Sequence, residues 1–167
     1  LHASGLVPPD EEHREVGDRA NIISRPSHAV PSFSNFISNS PVPALLGLLL
    51  DASEIGFYWD TIFSKDAGST WPTSWHHDAG ATAIQGNKCV NVWTPLTPVT
   101  HESSLECLAG SHKQDTLYWP RSPNSLRMAQ PSDRPYCPDF DMLRGQPGYR
   151  FLTWEMEPGD VLVLQLK

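Results

Sequence analysis

Trp75-His76-His77-Asp78 is the stretch that decides the fold and the chemistry of this chain. Successive side chains on an extended strand point to opposite faces, so His76 and Asp78 are predicted to project together while His77 points away. An imidazole nitrogen and a carboxylate oxygen are two of the three protein ligands in the facial triad of non-haem Fe(II) oxygenases. The same pattern also fits ordinary polar residues on a protein surface. The choice between a metal-ligand pair and surface residues therefore depends on the rest of the chain.

Length and charge limit the class of protein. A chain of 167 residues with 39% hydrophobic content can form one domain with its own core, and it is short for two. The net charge of -7, from 12 basic and 19 acidic residues, offers no clustered positive surface. We therefore expect neither nucleic acid nor a membrane surface as a partner. The sequence gives no indication of an oligomeric state.

The three cysteines suggest a compartment. Cys89, Cys107 and Cys137 are odd in number and widely spaced, with no Cys-x-x-Cys pair for zinc or a redox couple. We predict reduced thiols and a cytoplasmic location.

The chain begins with leucine rather than methionine, and we expect it to be an excerpt of a longer protein.

The N-terminal third is predicted to contain little regular structure. Residues 1–31 are polar and broken by prolines, which predicts an irregular arm with at most a short helix. Pro43 precedes an apolar, leucine-rich stretch at residues 44–55, which predicts one helix, buried against a sheet. This stretch is too short to span a bilayer. We assign residues 1–54 to the arm and this packing helix.

Short strands separated by Pro and Gly turns dominate residues 55–167. Around the His-x-Asp strand, the predicted strands cover residues 57–63, 89–96, 104–109, 151–154 and 161–166, the last of them buried. Residues 114–149 hold six prolines and little periodicity, which is typical of a functional loop or lid. Many short strands with a single helix predict an all-β sandwich or barrel of jelly-roll type.

Asn91 and Trp93 are placed on one face of their strand by its alternation. Val90 and Val92 fall on the other face. An amide beside a large indole indicates a lined cavity, because a buried amide without a partner is costly. The same pattern is equally compatible with an Asn91 that faces solvent.

Six segments together resemble the phytanoyl-CoA dioxygenase family of Fe(II)- and 2-oxoglutarate-dependent oxygenases, in the order and approximate spacing of that family. The segments, which span about residues 55–167, are Lys65-Asp-Ala-Gly68, Thr73-Ser-Trp-His-His-Asp78, Val92-Trp93, Ser103-Ser-Leu-Glu106, Gly110-Ser-His-Lys113 and Glu157-Pro-Gly-Asp160.

The resemblance implies a double-stranded β-helix in which His76 and Asp78 are catalytic residues and the first two iron ligands. Trp93 and Tyr58 match positions that lie near the cosubstrate in relatives. The implied reaction consumes O2 and 2-oxoglutarate, releases succinate and CO2, and hydroxylates a C–H bond of a small organic substrate. Asp78 argues against the halogenating relatives, in which a small residue replaces the carboxylate. The resemblance does not identify the substrate.

The sequence departs from the family after residue 160. The distal histidine and the arginine that pairs with 2-oxoglutarate are absent from this chain, which stops at Lys167. We therefore expect an incomplete barrel whose third iron ligand lies outside the sequence, and a fragment that turns over poorly by itself. Two alternatives stay open: a degenerate member that acts as a binding module, and a metal-binding barrel of other chemistry with His101 or His112 as third ligand.

Overall fold

Two compact units, Leu1–Pro72 and Thr73–Lys167, make up the chain. The computed structural model describes residues 13–15, 20–69, 73–80, 82–84, 86–121 and 133–167. Within these ranges seven short strands outnumber three α-helices, and the strands form no closed barrel. The predicted predominance of strands is confirmed, and the double-stranded β-helix stays a prediction. The predicted division after residue 54 falls inside the first unit.

A three-stranded antiparallel sheet belongs to the first unit. Its strands are β1 (His13–Glu15), β2 (Ala20–Ser24) and β3 (Thr61–Lys65), in the order β1-β2-β3. The prediction of an irregular arm is therefore wrong for β1 and β2, while residues 1–12 and 16–19 lie outside the described part. Short strands such as β1 and β2 give a weak periodic signal, because distant β3 completes their sheet.

The strand predicted at residues 57–63 begins only at Thr61. Asp60 accounts for the later start, since its carboxylate accepts hydrogen bonds from the backbone N–H and the hydroxyl of Ser27, both at 2.9 Å. The backbone carbonyl of Asp60 also accepts from the N–H of Arg25, at 2.9 Å. Asp60 thus ties the chain before β3 to the start of a short helix.

Three helices, rather than the single predicted one, follow β2. They are α1 (Pro26–Ala29), α2 (Pro31–Asn39) and α3 (Val42–Leu50), and each has proline in its first or second position. Proline is favoured there because its missing N–H would have no partner within the helix. α3 ends where Asp51 adopts a left-handed conformation, with φ of 47°.

The leucines of α3 are mostly exposed, contrary to the predicted buried helix. Leu46 is buried, whereas Leu48 is 85% exposed and Leu49 60% exposed. Leucine occurs all around α3, and a single neighbouring layer can cover only one side of a helix. No single helix in the described ranges is long and apolar enough to cross a membrane, although α2 and α3, bent by 40°, meet that test as a pair.

Two strand pairs organise the second unit. β4 (Val90–Trp93) pairs antiparallel with β7 (Leu162–Gln165), and β5 (Cys107–Leu108) pairs with β6 (Phe151–Leu152). The predictions for residues 89–96 and 161–166 are thereby confirmed, although β7 is only half-buried. The other two predicted strands shorten to two residues each. The predicted turn before β7 is also present, with Gly159 at φ of 110°.

The long segment at residues 114–149 is partly built into the second unit. Trp119 and Tyr136 form a parallel bridge, and Phe140–Leu143 form a turn of 3₁₀ helix. Trp119 and Cys137 are both buried. The predicted loop is therefore packed around Trp119 and Cys137, whereas residues 144–149 are exposed and residues 122–132 lie outside the described part. Its role as a lid stays a prediction.

Candidate functional site

His76 and Asp78 come together at a turn, not on the predicted strand. Asp78 begins a 3₁₀ helix, Asp78–Gly80, and its carbonyl accepts from the N–H of Thr82 at 3.0 Å. The turn is fastened to the end of β7, because the N–H of Ala79 donates to the carbonyl of Leu166 at 2.8 Å. Nε2 of His76 nevertheless lies 3.7 Å from Oδ1 of Asp78.

The proton position on His76 follows from its neighbour. Nδ1 lies 2.8 Å from the carbonyl oxygen of Ser74, which can only accept a hydrogen bond. Nδ1 must therefore carry a hydrogen, and the neutral ring keeps a lone pair on Nε2. Metal-binding histidines are commonly oriented in this way by a backbone carbonyl.

The carboxylate of Asp78 is divided between two partners. Oδ2 accepts a hydrogen bond from Nδ2 of Asn91 at 2.8 Å, while Oδ1 faces Nε2 of His76. The Oδ1–Nε2 separation is too long for a hydrogen bond, so neither atom's lone pair is taken up by the other. This donor set fits two of the three ligands of a facial triad. Asn91 is exposed, as the solvent-facing alternative predicts, and its amide bonds Asp78 from that exposed position.

No third ligand joins the pair within the described ranges, which contain no group of three or more His, Cys, Asp or Glu side chains able to hold a metal. His101 bonds Oγ1 of Thr153 at 2.9 Å, and His112 is exposed in the 3₁₀ helix Ser111–Lys113. Neither histidine joins His76 and Asp78 in such a group within the described ranges, and the alternative barrel chemistry stays a prediction.

Trp93 and Tyr58 fall in different units. Trp93 ends β4 and lies two residues from Asn91, so their side chains leave the same face of the strand. Tyr58 lies in the irregular segment before β3 and is 51% exposed. The roles of both residues near the cosubstrate stay predictions.

A cleft of about 70 Å³ opens beside His76. Rings form much of its wall, and Trp75 packs against Phe140 with centroids 5.9 Å apart. Burial raises the pKa of the Cys137 thiol in this wall to about 11, so the thiol is neutral at neutral pH. The lining residues are Trp75, His76, His77, Glu106, Leu108, Ser111, Gln114, Thr116, Tyr118, Cys137, Phe140 and Lys167.

Arg144 fixes the acidic residue of the cleft wall. Its guanidinium pairs with both carboxylate oxygens of Glu106, with Nη1 2.8 Å from Oε1, and also bonds Asp141. Asp141 in turn accepts from the indole of Trp75 at 3.2 Å. This network holds the residue directly before His76. No local sequence pattern predicts this network, because its bonded partners Trp75 and Asp141 are 66 residues apart.

His77 lines the same cleft as His76 and binds the neighbouring segment. Its Nε2 accepts a hydrogen bond from the backbone N–H of Tyr118 at 2.7 Å. Burial lowers the pKa of His77. Protonation of Nε2 would also remove the acceptor for this N–H. The neutral ring therefore ties residues 116–119, one wall of the cleft, to the turn.

We expect the metal-free protein to lose stability as pH falls. The pKa of His77 is lower in the folded protein than its ordinary value of 6.5, so the unfolded chain binds the extra proton first. The stabilising contribution is complete above pH 6.5 and is lost as pH falls through the folded pKa. Urea unfolding from pH 7.5 to 5 should show this slope, and His77→Gln should flatten it. An equal slope in the variant would contradict the assignment, and His112→Gln serves as the control.

Comparison with known proteins identifies one family. The sequence profile of the family described as phytanoyl-CoA dioxygenase (PhyH) matches residues 19–166, which is most of the chain. No curated protein and no solved structure matches this chain.

Proposed function

This chain belongs to the phytanoyl-CoA dioxygenase family, and on that premise we propose that it is an Fe(II)- and 2-oxoglutarate-dependent oxygenase that hydroxylates an unactivated C–H bond of a small organic substrate. The family generally uses Fe(II) and 2-oxoglutarate. The observation that carries the proposal is the 3.7 Å separation of Nε2 of His76 from Oδ1 of Asp78, an imidazole nitrogen beside a carboxylate oxygen.

His76 and Asp78 would hold the iron in this proposal, and a third ligand would have to come from outside the described pair. Trp93, on the strand face that it shares with Asn91, would lie near 2-oxoglutarate. Tyr58 is assigned there by resemblance alone. The jelly-roll architecture typical of the family is part of the same proposal. The three free thiols support a cytoplasmic location.

Bound iron would supply the oxidative chemistry, in which 2-oxoglutarate, O2 and R–H become succinate, CO2 and R–OH. The chain's own residues do the rest. Ser74 keeps the lone pair of His76 on Nε2, and Asn91 engages Oδ2 of Asp78 and leaves Oδ1 for the metal. In the cleft beside His76, the rings of Trp75, Tyr118 and Phe140 offer apolar surface against which a substrate C–H bond would pack. A carboxylate at Asp78 favours hydroxylation over halogenation.

The test is whether succinate formation depends on 2-oxoglutarate and on Fe(II). With O2 and Fe(II) present, the purified protein should convert 2-oxoglutarate into succinate even without the true substrate, slowly and in uncoupled turnover. Adding EDTA or omitting Fe(II) should reduce the rate at least about 100-fold, because the metal generates the reactive species. His112→Ala should leave the rate unchanged. Succinate formation that persists in EDTA would contradict the proposal.

A non-catalytic binding module is the second candidate. It is favoured by one observation, the lack of a third ligand beside His76 and Asp78 in the part of the chain that is described. The same assay separates the two candidates, because a binding module would take up metal without forming succinate.

A further inference from the structure

We propose that Asn91 is a positioning residue that makes Asp78 a monodentate ligand, so that only Oδ1 faces the metal. The proposal rests on the proposed function, since it concerns the same metal site. Its starting point is the 2.8 Å hydrogen bond from Nδ2 of Asn91 to Oδ2 of Asp78. A carboxylate oxygen can only accept, so the amide nitrogen must be the atom that faces it.

The strand that carries Asn91 is rigidly placed. Asn91 lies inside β4 and is paired with Leu164 of β7. The 3₁₀ turn that begins at Asp78 is held to the same strand pair through the bond from Ala79 to Leu166, at 2.8 Å. The donor and the acceptor therefore sit on two elements that are both fixed to β7. The amide reaches the carboxylate from a constant direction, as a group that orients a metal ligand must.

The bond fixes which oxygen is free. A carboxylate can bind a metal through one oxygen or through both, and rotation of its terminal torsion interchanges them at low cost. With Oδ2 engaged by Asn91, Oδ1 remains for the metal, 3.7 Å from Nε2 of His76. A monodentate carboxylate leaves one more coordination position open. An iron that must accept both 2-oxoglutarate and O2 needs its open positions.

Removal of the amide should therefore change both the strength and the geometry of metal binding. Asn91→Leu keeps a similar volume and deletes the donor. Asn91 and Asp78 are both partly solvent-exposed, so water can satisfy the released oxygen and the fold should survive. Gln165→Leu is the matched control. Gln165 is an exposed amide on β7, and β7 pairs directly with β4.

The experiment uses Co(II) alone as the probe, added without oxygen to the purified protein and followed by its visible d–d absorption and by calorimetry. Asn91→Leu should weaken the Kd for Co(II) by 10–100-fold, the usual effect of losing an outer-shell partner, and should shift the absorption bands as the coordination changes. Gln165→Leu should match the wild type in both readouts.

Each outcome has a definite meaning. If wild-type protein binds Co(II), and binding is lost in His76→Ala, an unchanged Kd and spectrum in Asn91→Leu would overturn the role of Asn91 while the metal site stands. A lower unfolding midpoint in Asn91→Leu with unchanged Co(II) binding would assign Asn91 a purely structural role, which also overturns the proposal. If the wild type binds no Co(II), or if His76→Ala binds it equally well, the proposed function fails and the inference fails with it.

Discussion

Replacing Asp78 with alanine is expected to abolish succinate formation coupled to substrate hydroxylation, with a fall of more than about 100-fold. Loss of an outer-shell partner alone costs about 10–100-fold in metal affinity or activity, and Asp78 is proposed as a direct ligand. The variant should stay folded. The carboxylate side chain is 36% exposed, and the amide that it releases on Asn91 is also exposed and can bond water.

The control for this variant is Glu155→Ala, which removes an exposed carboxylate after β6 in the same unit. Its succinate formation should equal that of the wild type. The measurement is succinate released per minute under saturating Fe(II) and 2-oxoglutarate, together with an unfolding curve for each protein. Normal turnover by a folded Asp78→Ala variant would remove the assignment of the site.

The features that the sequence predicted are those with a local cause. β4 follows from alternation over a few residues, β7 follows from a short apolar run, and the turn before β7 follows from a glycine that must adopt positive φ. The start of α3 follows from proline beside leucine-rich sequence. The spacing of His76 and Asp78 was enough to predict that the two side chains would meet.

The features that the sequence missed depend on distant partners. Asp78 was expected on a strand, yet its turn is fixed by the end of β7, nearly ninety residues later in the chain. β1 and β2 were missed because β3, about forty residues further on, completes their sheet. The exposure of α3 depends on which layers cover it, and the composition of the helix does not contain that information.

The site shows the same division. The imidazole and carboxylate of the proposed site could be predicted because His76 and Asp78 belong to one short motif. The role of Asn91 was left open between a lined cavity and solvent, since alternation assigns a face to a residue but not a partner. The bond of His77 to Tyr118 joins residues 41 positions apart and had no sequence signal. The third ligand of the proposed centre was also expected at a distance, and such residues are the ones a local pattern cannot supply.

Gly80→Ala should cost about 3 kcal/mol of unfolding free energy, near the upper end of the usual range for overpacking. Gly80 is buried, and a Cβ added there would lie 1.8 Å from the carbonyl oxygen of Tyr118 and 3.2 Å from Nε2 of His77. The obstacle is backbone, which cannot rotate away as a side chain can. Relief of the overlap would have to displace residues 116–119 and stretch the bond between His77 and Tyr118. The amide of Tyr118 should therefore exchange with solvent faster than in the wild type.

Gly56→Ala is the matched control, and the expected effect has the opposite sign. A Cβ at Gly56 meets nothing within 4 Å, and φ there is outside the left-handed region. Alanine should then stabilise the protein by about 0.4–1 kcal/mol, because it lowers the conformational entropy of the unfolded chain and causes no strain in the folded one. Gly80 is likewise free of positive φ, so its predicted loss is steric alone. Two results together would disprove the close contact between the turn Asp78–Gly80 and the cleft wall. They are the same small change in unfolding free energy for both variants, and unchanged protection of the Tyr118 amide from exchange.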